Sequence, residues 1–212
     1  MSRHDHRVPF HLDSGNVKSL PPEDIAAILR AAHDIVGSGG RSLLTKILRG
    51  SRQADVVKYE HDLNPSYGYF CALSEADVLA RIDWTIRQRY LRIVYQGKLP
   101  VLELTFGGWE IEVGTLGDEI LARFDSLLAD SAAPYALDFL KGIHRDVATY
   151  VLLGIRLTHR YHYLPILTAW RRTSRRLRDD IQSVIDSFSE PDTLPHSAAP
   201  DSSGPLSQMG IK

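Results

Sequence analysis

Three polar side chains at the end of an amphipathic stretch carry the most recognisable chemistry in this sequence. Arg49, Ser51 and Arg52 flank Gly50, which ends a run of apolar residues at helical spacing over about 41–49. Guanidinium and hydroxyl donors suit phosphate oxygens, and such contacts fix position on a nucleic acid without reading its sequence. This group, called here the arginine corner (Arg49, Ser51 and Arg52), therefore predicts contact with a phosphate backbone. A solvated helix end is the alternative interpretation.

Charge is segregated along a chain whose formal net charge is only −1. Residues 41–53 carry Arg41, Lys46, Arg49 and Arg52 with no acid, and residues 156–178 carry seven arginines with no acid. Residues 102–146 carry nine acids against three bases. Segregation of this kind in a nearly neutral protein indicates a face that meets an anion.

A second basic surface is predicted from an arginine run that we place on one helix. It could extend a nucleic-acid track, bind an acidic partner, dock on the acidic 102–146 segment, or remain a solvated face. Its members are Arg171, Arg172, Arg175 and Arg176.

Several classes of protein are disfavoured. A single cysteine, Cys71, excludes an internal disulfide framework and a cysteine-rich zinc site. Two histidine pairs, His4 with His6 and His159 with His162, have no further ligands in sequence range, so neither a metal nor another cofactor is expected. No catalytic constellation stands out, so an enzyme is not expected. No apolar run approaches the roughly 18 residues of a membrane span, and the first ten residues lack a signal-peptide core. A soluble cytoplasmic protein is expected.

The elements that position the arginine corner are four helices and a hairpin. A first helix opens at Pro21 and Pro22 and stops at Gly37, a second covers about 41–49, and a short third covers about 52–60. Ser74 is a good N-cap, with Asp77 at the capping-box position, for a helix that reaches about Tyr90.

That last helix should have one buried and one outer face. Val78, Ile82 and Ile86 share a face, and Trp84 falls opposite them at 100° per residue. Trp84 should then lie on the non-core side, packed on a neighbouring element or stacked on a sugar or base. Only Arg81 and Gln88 on the same outer face are of the residue types, Arg, Asn and Gln, that most often read base edges.

Two strands follow, over 91–95 and 101–105, with a turn over 96–100 that carries Lys98 at its tip. Helices followed by such a hairpin give the winged-helix order, in which the last helix and the wing usually face the duplex. Arg87, Arg89 and Lys98 lie near the wing and are either weaker phosphate contacts or solubilising surface.

The predicted fold is mainly α with a small β-hairpin, a winged-helix domain followed by a small antiparallel helical domain. Residues 105–114 lead out of the winged helix with Trp109 buried, and 116–129 form an amphipathic helix with an acidic outer face. Further helices begin near Pro134, cover about 146–158, and begin at Pro165. The boundaries are an extended N-terminal segment over 1–20, the winged helix over 21–114, the helical domain over 115–188, and a disordered Pro/Ser/Asp-rich tail over 189–212.

The central third of the chain resembles the RQC domain, the winged helix at the C-terminus of RecQ-type helicases. Three strings carry the resemblance: LRGSRQ (48–53), SYGYF (66–70) with the capped helix and RYLRI (89–93), and LPVLELTFGGWE (99–110). Together with residues 11–36, the pattern is most similar to stand-alone bacterial proteins of the minor RQC class. YHYLPILTAW (161–170) resembles a HEAT-like helix pair.

The resemblance implies DNA binding through backbone contacts, with Arg49, Ser51 and Ser74 facing phosphate. It also places Tyr95 near a wing tip where some relatives carry a wedging aromatic. Arg89 stands where many relatives have Gly. No Walker motif, helicase motor or four-cysteine module is present in the sequence, so unwinding is not expected of this polypeptide alone.

The first functional interpretation is a non-catalytic protein that contacts duplex or branched DNA in replication, recombination or repair, with residues 115–188 binding a protein partner. If about five cations meet phosphates, log K should fall with log salt at a slope of about −4 to −5. The alternatives are a protein-interaction adaptor, in which winged helix and HEAT-like helices both pack on protein, and a winged-helix transcription regulator.

Overall fold

The computed structural model describes residues 7–130 and 134–188. The chain divides into two compact units, and the division falls between Gly154 and Ile155. The predictions for residues 1–6 and for the tail over 189–212 lie outside the described residues.

The first unit begins with three helices: α1 (Pro22–His33), α2 (Arg41–Leu48) and the short α3 (Ala54–Val57). Glu23 and Asp24 lie in the first turn of α1, where the helix dipole favours acids. The third helix is shorter than the predicted 52–60. Glu60 adopts a left-handed backbone with φ 58°, and a 3₁₀ turn over His61–Leu63 follows it.

α4 (Glu75–Arg87) begins as the sequence predicted. The backbone N–H of Asp77 donates to Ser74 Oγ at 3.1 Å, and that hydroxyl donates to the Asp77 carboxylate at 2.6 Å. Val78 and Ile82 are fully buried in the core that α4 shares with α1 and α2. The capping pair satisfies one of the free amides that every helix start leaves.

The wing consists of β1 (Leu91–Gln96) and β2 (Leu99–Leu104), paired antiparallel with Leu91 opposite Leu104 and Gln96 opposite Leu99. Gly97 and Lys98 form the turn, with Gly97 at φ 62°. Arg89 also adopts φ 63°, so the turn before the wing keeps the left-handed conformation that glycine favours.

β2 also pairs with the glycine-rich turn between α1 and α2. The N–H of Gly37 donates to the Leu102 carbonyl at 2.9 Å, and the N–H of Leu102 donates to the Gly39 carbonyl at 2.8 Å. A Cβ on Gly40 would lie 2.8 Å from the Pro100 carbonyl oxygen, so a side chain does not fit there. The glycines thus let the turn lie directly against the wing.

α5 (Phe106–Ala129) is one continuous helix of 24 residues. The expected lead-out over 105–114 is wrong, because Thr105 caps a helix that starts at Phe106 by accepting the Gly108 N–H at 3.2 Å. The proposed domain boundary at residue 114 falls inside this helix. Trp109 is half-buried rather than buried, and its indole N–H donates to Asp146 at 2.8 Å.

The part of the first unit after α5 holds a 3₁₀ turn over Asp138–Leu140 where a helix was predicted from Pro134. α6 (Arg145–Leu157) follows and runs into the second unit. The second unit contains α7 (Leu164–Thr173) and α8 (Arg178–Ser187). Ile166, Leu167, Trp170 and Ile181 are buried, and α7 packs on α8.

The predicted mainly helical fold with one small hairpin is confirmed by these elements. Within the described ranges, no helix is both long enough and apolar enough to span a bilayer.

A buried carboxylate in α5 gives the fold a pH dependence that can be measured. Glu112 is fully buried; His33 Nδ1 lies 3.0 Å from its Oε1, and Oε2 has no hydrogen-bond partner among the described residues. Burial raises the pKa of Glu112 above its usual 4.5, and the hydrogen bond and charge of His33 oppose that rise. The folded protein therefore favours the neutral carboxyl more strongly than the unfolded chain does.

Glu112→Gln should become more stable than the parent protein as the pH rises. The stability contributed by a carboxyl with a raised folded pKa is fully present below about pH 4.5 and is lost as the pH rises through the folded pKa. Glutamine keeps the same shape and does not ionise. The melting temperatures of the two proteins should diverge from pH 4 to pH 8, by about 2–4 °C for each kcal/mol of difference in their free energies of unfolding. A constant difference across that range would contradict the assignment.

Candidate nucleic-acid interface

The arginine corner is formed by the end of α2 and held against the turn over residues 66–70. Gly50 ends α2 at φ 70°, and a Cβ there would lie 3.2 Å from the α-carbon of Gly68. The amide of Gly68 donates to the Ile47 carbonyl at 2.9 Å, and that of Phe70 donates to the Leu48 carbonyl at 2.8 Å. Two glycine backbones in contact therefore fix the direction in which the corner leaves the helix.

The three side chains of the arginine corner remain available to a ligand. Arg52 is exposed, and the Arg49 side chain is 38% exposed. Arg49 Nε donates to the Leu73 carbonyl at 3.2 Å, and its guanidinium lies 3.9 Å from the carboxylate of Glu75. Ser51 Oγ accepts the Gln53 N–H at 3.3 Å, which leaves the hydroxyl hydrogen to donate. The corner thus presents two guanidinium groups and one hydroxyl together.

Lys46 and Ser74 border the corner but already have partners. Lys46 Nζ lies 2.6 Å from Asp55 Oδ2, and this hydrogen bond lowers the pKa of the Asp55 carboxyl. The Lys46 side chain is 32% exposed, so it can still turn towards an anion. Ser74 is exposed, but its hydroxyl is engaged in the cap of α4.

Residues 7–20, called here the N-terminal segment, cover the outer face of α4. The indole N–H of Trp84 donates to the Lys18 carbonyl at 3.2 Å, and Trp84 is only 9% exposed. The placement of Trp84 on the non-core side is wrong, because Trp84 belongs to the buried core cluster of the winged helix. Of the two environments predicted for it, the structure has the packing on a neighbouring element, and no base can stack on it in this arrangement. Val17 and Leu20 also pack against the core of the winged helix.

Two predicted DNA contacts are used to hold this segment. Arg87 donates to the Leu12 carbonyl at 2.6 Å and to Ser14 Oγ at 3.1 Å. Arg41 donates to the His11 carbonyl at 2.8 Å and pairs with Asp83 at 2.6 Å. The Arg41 side chain is 18% exposed and that of Asp83 is 2% exposed, so this ion pair is a buried structural contact.

The wing also contacts the N-terminal segment. The Tyr95 hydroxyl donates to the Val8 carbonyl at 2.8 Å, and the Val8 amide donates to the Lys98 carbonyl at 3.1 Å. Arg7 lies over the Tyr95 ring at 4.9 Å, and the ring of Phe10 lies 6.1 Å away. Tyr95 therefore packs against the segment, while Lys98 is exposed at the turn.

Two further predicted contacts lie apart from the corner. Arg81 donates to the Asp77 carbonyl at 3.1 Å and lies over the Phe70 ring at 5.6 Å, so it is half-buried on α4. Arg89 is exposed in the turn before the wing. The structure thus brings Arg49, Ser51 and Arg52 together and diverts Arg41, Arg87 and Tyr95 to the N-terminal segment.

The second basic surface lies in the second unit and does not occupy one helix. α7 ends at Thr173 because Ser174 adopts an extended conformation and its Oγ accepts the Leu177 N–H at 3.3 Å. Arg171 and Arg172 therefore end α7, whereas Arg175 and Arg176 lie in the turn before α8. Arg171 donates to Gln182. Arg172, Arg175 and Arg176 are exposed.

Across residues 7–130 and 134–188, no three His, Cys, Asp or Glu side chains are grouped closely enough to hold a metal ion.

Comparison with family models matches residues 22–125 to the family described as the RQC domain. The match covers α1 to α4, the wing and most of α5. Comparisons with curated proteins and with solved structures give no match.

Proposed function

We propose, on the premise that residues 22–125 form an RQC domain, a winged-helix type associated with RecQ helicases and DNA binding, that this protein contacts DNA through the arginine corner. The observation that carries the proposal is the presentation of Arg49, Ser51 and Arg52 together at the end of α2, against the Gly50–Gly68 contact. Guanidinium and hydroxyl donors fixed in this way suit phosphate oxygens.

The DNA-contacting surface is therefore the corner with Lys46 and Ser74 at its border, and the outer face of α4 is not part of it. Arg41, Arg87 and Tyr95 hold the N-terminal segment, which lies between α4 and any duplex that approaches that face. A side chain must reach base edges in the groove to read sequence. This arrangement favours binding to the backbone of duplex or branched DNA over the transcription-regulator alternative.

The role that follows is non-catalytic: an accessory DNA-binding protein in replication, recombination or repair. Residues 115–188, with the exposed arginines Arg172, Arg175 and Arg176, supply the surface for a protein partner. The protein-interaction adaptor is the competing function, and it predicts no DNA binding at all.

Binding of the full chain to duplex, forked and single-stranded DNA across a salt series tests this function. Arg49 and Arg52 at the corner and Lys46 at its border predict a slope of log K against log salt of about −3 for duplex DNA, at about 0.9 for each contact. A slope of about −5 or steeper would mean that the N-terminal segment leaves α4 and releases Arg41 and Arg87. No binding to any of the three DNA forms at low salt would exclude the proposal and favour the adaptor.

A further inference from the structure

The first unit contains a cavity of about 870 Å³ that takes no part in the proposed DNA contact. It lies among the end of α1, β2, α5 and the chain leading into α6. Its volume falls within the range of about 300–1,000 Å³ that is usual for small-molecule sites. None of the eleven residues predicted to contact DNA lines it.

The walls of this cavity are largely apolar and aromatic. Trp109, Leu116, Ile120 and Phe139 line it, and each of the four is only half-buried. The Trp109 ring is fixed by the bond from its N–H to Asp146 and by an edge contact with the His144 ring, 4.7 Å between centroids. A fixed aromatic wall beside aliphatic side chains suits a flat apolar group, because burying its surface is favourable.

The charges at the cavity favour an anion. Both of its acidic residues have an arginine partner: Glu119 accepts from Arg30 at 2.8 Å, and Glu103 accepts from Arg92 at 2.6 Å. Arg30 also contacts Asp34 at 3.3 Å. Arg123 is exposed at the cavity, and its guanidinium carbon lies 4.0 Å from the centre of the Phe139 ring. Within the described part of the chain, no carboxylate pairs with Arg123. The one uncompensated strong charge is therefore positive.

We propose that this cavity binds a small amphipathic anion, with its aromatic or aliphatic body against Trp109 and Ile120 and its carboxylate, sulfonate or phosphate at Arg123. A planar guanidinium stacked on an aromatic ring keeps its edge donors free for an oxyanion. The ligand enters beside apolar side chains that otherwise remain half exposed to water.

Two fluorescent probes test separately the apolar contact and the contact of the anionic group with Arg123. 1-Anilinonaphthalene-8-sulfonate carries an aromatic body and an anionic group, whereas N-phenyl-1-naphthylamine carries the same ring system without the charge. We expect saturable one-to-one binding of both to the full chain. Arg123→Gln should raise the Kd of the sulfonate probe by about 10-fold, the loss expected for one charge-assisted hydrogen bond. The Kd of the neutral probe should change by less than about twofold.

Two control variants locate the site. Ile120→Trp fills space beside the apolar wall and should weaken the binding of both probes. Arg52→Gln removes an exposed arginine from the arginine corner and should weaken the binding of neither probe. Absence of saturable binding would overturn the proposal. Equal effects of Arg123→Gln and Arg52→Gln, or an Ile120→Trp protein that binds as the parent does, would overturn it as well. The readout involves no DNA, so it is independent of the proposed function.

Discussion

Replacement of Arg49 and Arg52 together by glutamate is expected to lower the affinity for duplex DNA by about 60-fold in about 0.1 M salt. This loss corresponds to two phosphate contacts, each worth about 0.9 in the slope of log K against log salt. The slope itself should fall in magnitude by about 2. Fluorescence anisotropy with a labelled duplex over a salt series measures both quantities.

A matched double reversal distinguishes a local contact from a change in net charge. Arg172→Glu/Arg175→Glu alters the formal charge by the same amount at two exposed arginines of the second unit. If the arginine corner is the contact surface, this control keeps a slope close to that of the parent protein. An equal loss of affinity in both variants would show that the corner has no special role.

Asp83→Ala should be the most destabilising single substitution among the ionic residues of the winged helix, at about 3–5 kcal/mol. The Asp83 carboxylate is buried, accepts from Arg41 at 2.6 and 2.7 Å, and accepts the Asp13 amide at 2.7 Å. Its removal leaves a mostly buried guanidinium and a backbone amide without their partner. Urea unfolding of both proteins, followed by circular dichroism, measures the difference.

Asp55→Ala is the matched control for that measurement. Asp55 also lies 2.6 Å from a cation, Lys46, but its side chain is 46% exposed, against 2% for Asp83. An exposed pair of this kind is screened by solvent and contributes little to stability. The same substitution at the same distance therefore isolates the effect of burial. A cost for Asp83→Ala no larger than that for Asp55→Ala would contradict the structural role given to Arg41.

The elements with a local sequence signal were predicted well. The Ser74 cap, the apolar face of α4, the two strands of the wing and the corner at Gly50 each follow from neighbouring residues. Periodicity and capping act within one or two turns of chain, so a single sequence records them. The RQC resemblance added the link to DNA, and the family match over residues 22–125 confirms that resemblance.

The start of α5 was missed because its local signal is misleading. Gly107 and Gly108 disfavour a helix by about 1 kcal/mol each, so the sequence there carries no helix signal. The structure explains Gly108 by packing, since a Cβ there would lie 2.1 Å from the Tyr90 carbonyl oxygen. The glycine permits close approach to the wing, and that requirement is visible only once the two elements are in contact.

The roles of Arg41, Arg87 and Trp84 could not be derived from the sequence for a different reason. Their partners lie in the N-terminal segment, which has no periodicity and pairs mainly through backbone carbonyls. A carbonyl acceptor is present at every residue, so nothing in the sequence marks Leu12 or Lys18 as a partner. Arg41 and Arg87, which were assigned to DNA by residue type, are thus internal contacts.

The N-terminal segment also has a consequence for the order of folding. Its hydrogen bonds to α4 and the wing join residues 66–90 positions apart. Ordering so long a loop costs entropy before any contact compensates it. The surfaces that receive the segment exist only after α4 and the hairpin have formed. We therefore expect the segment to dock late in folding and to open locally before the rest of the winged helix unfolds.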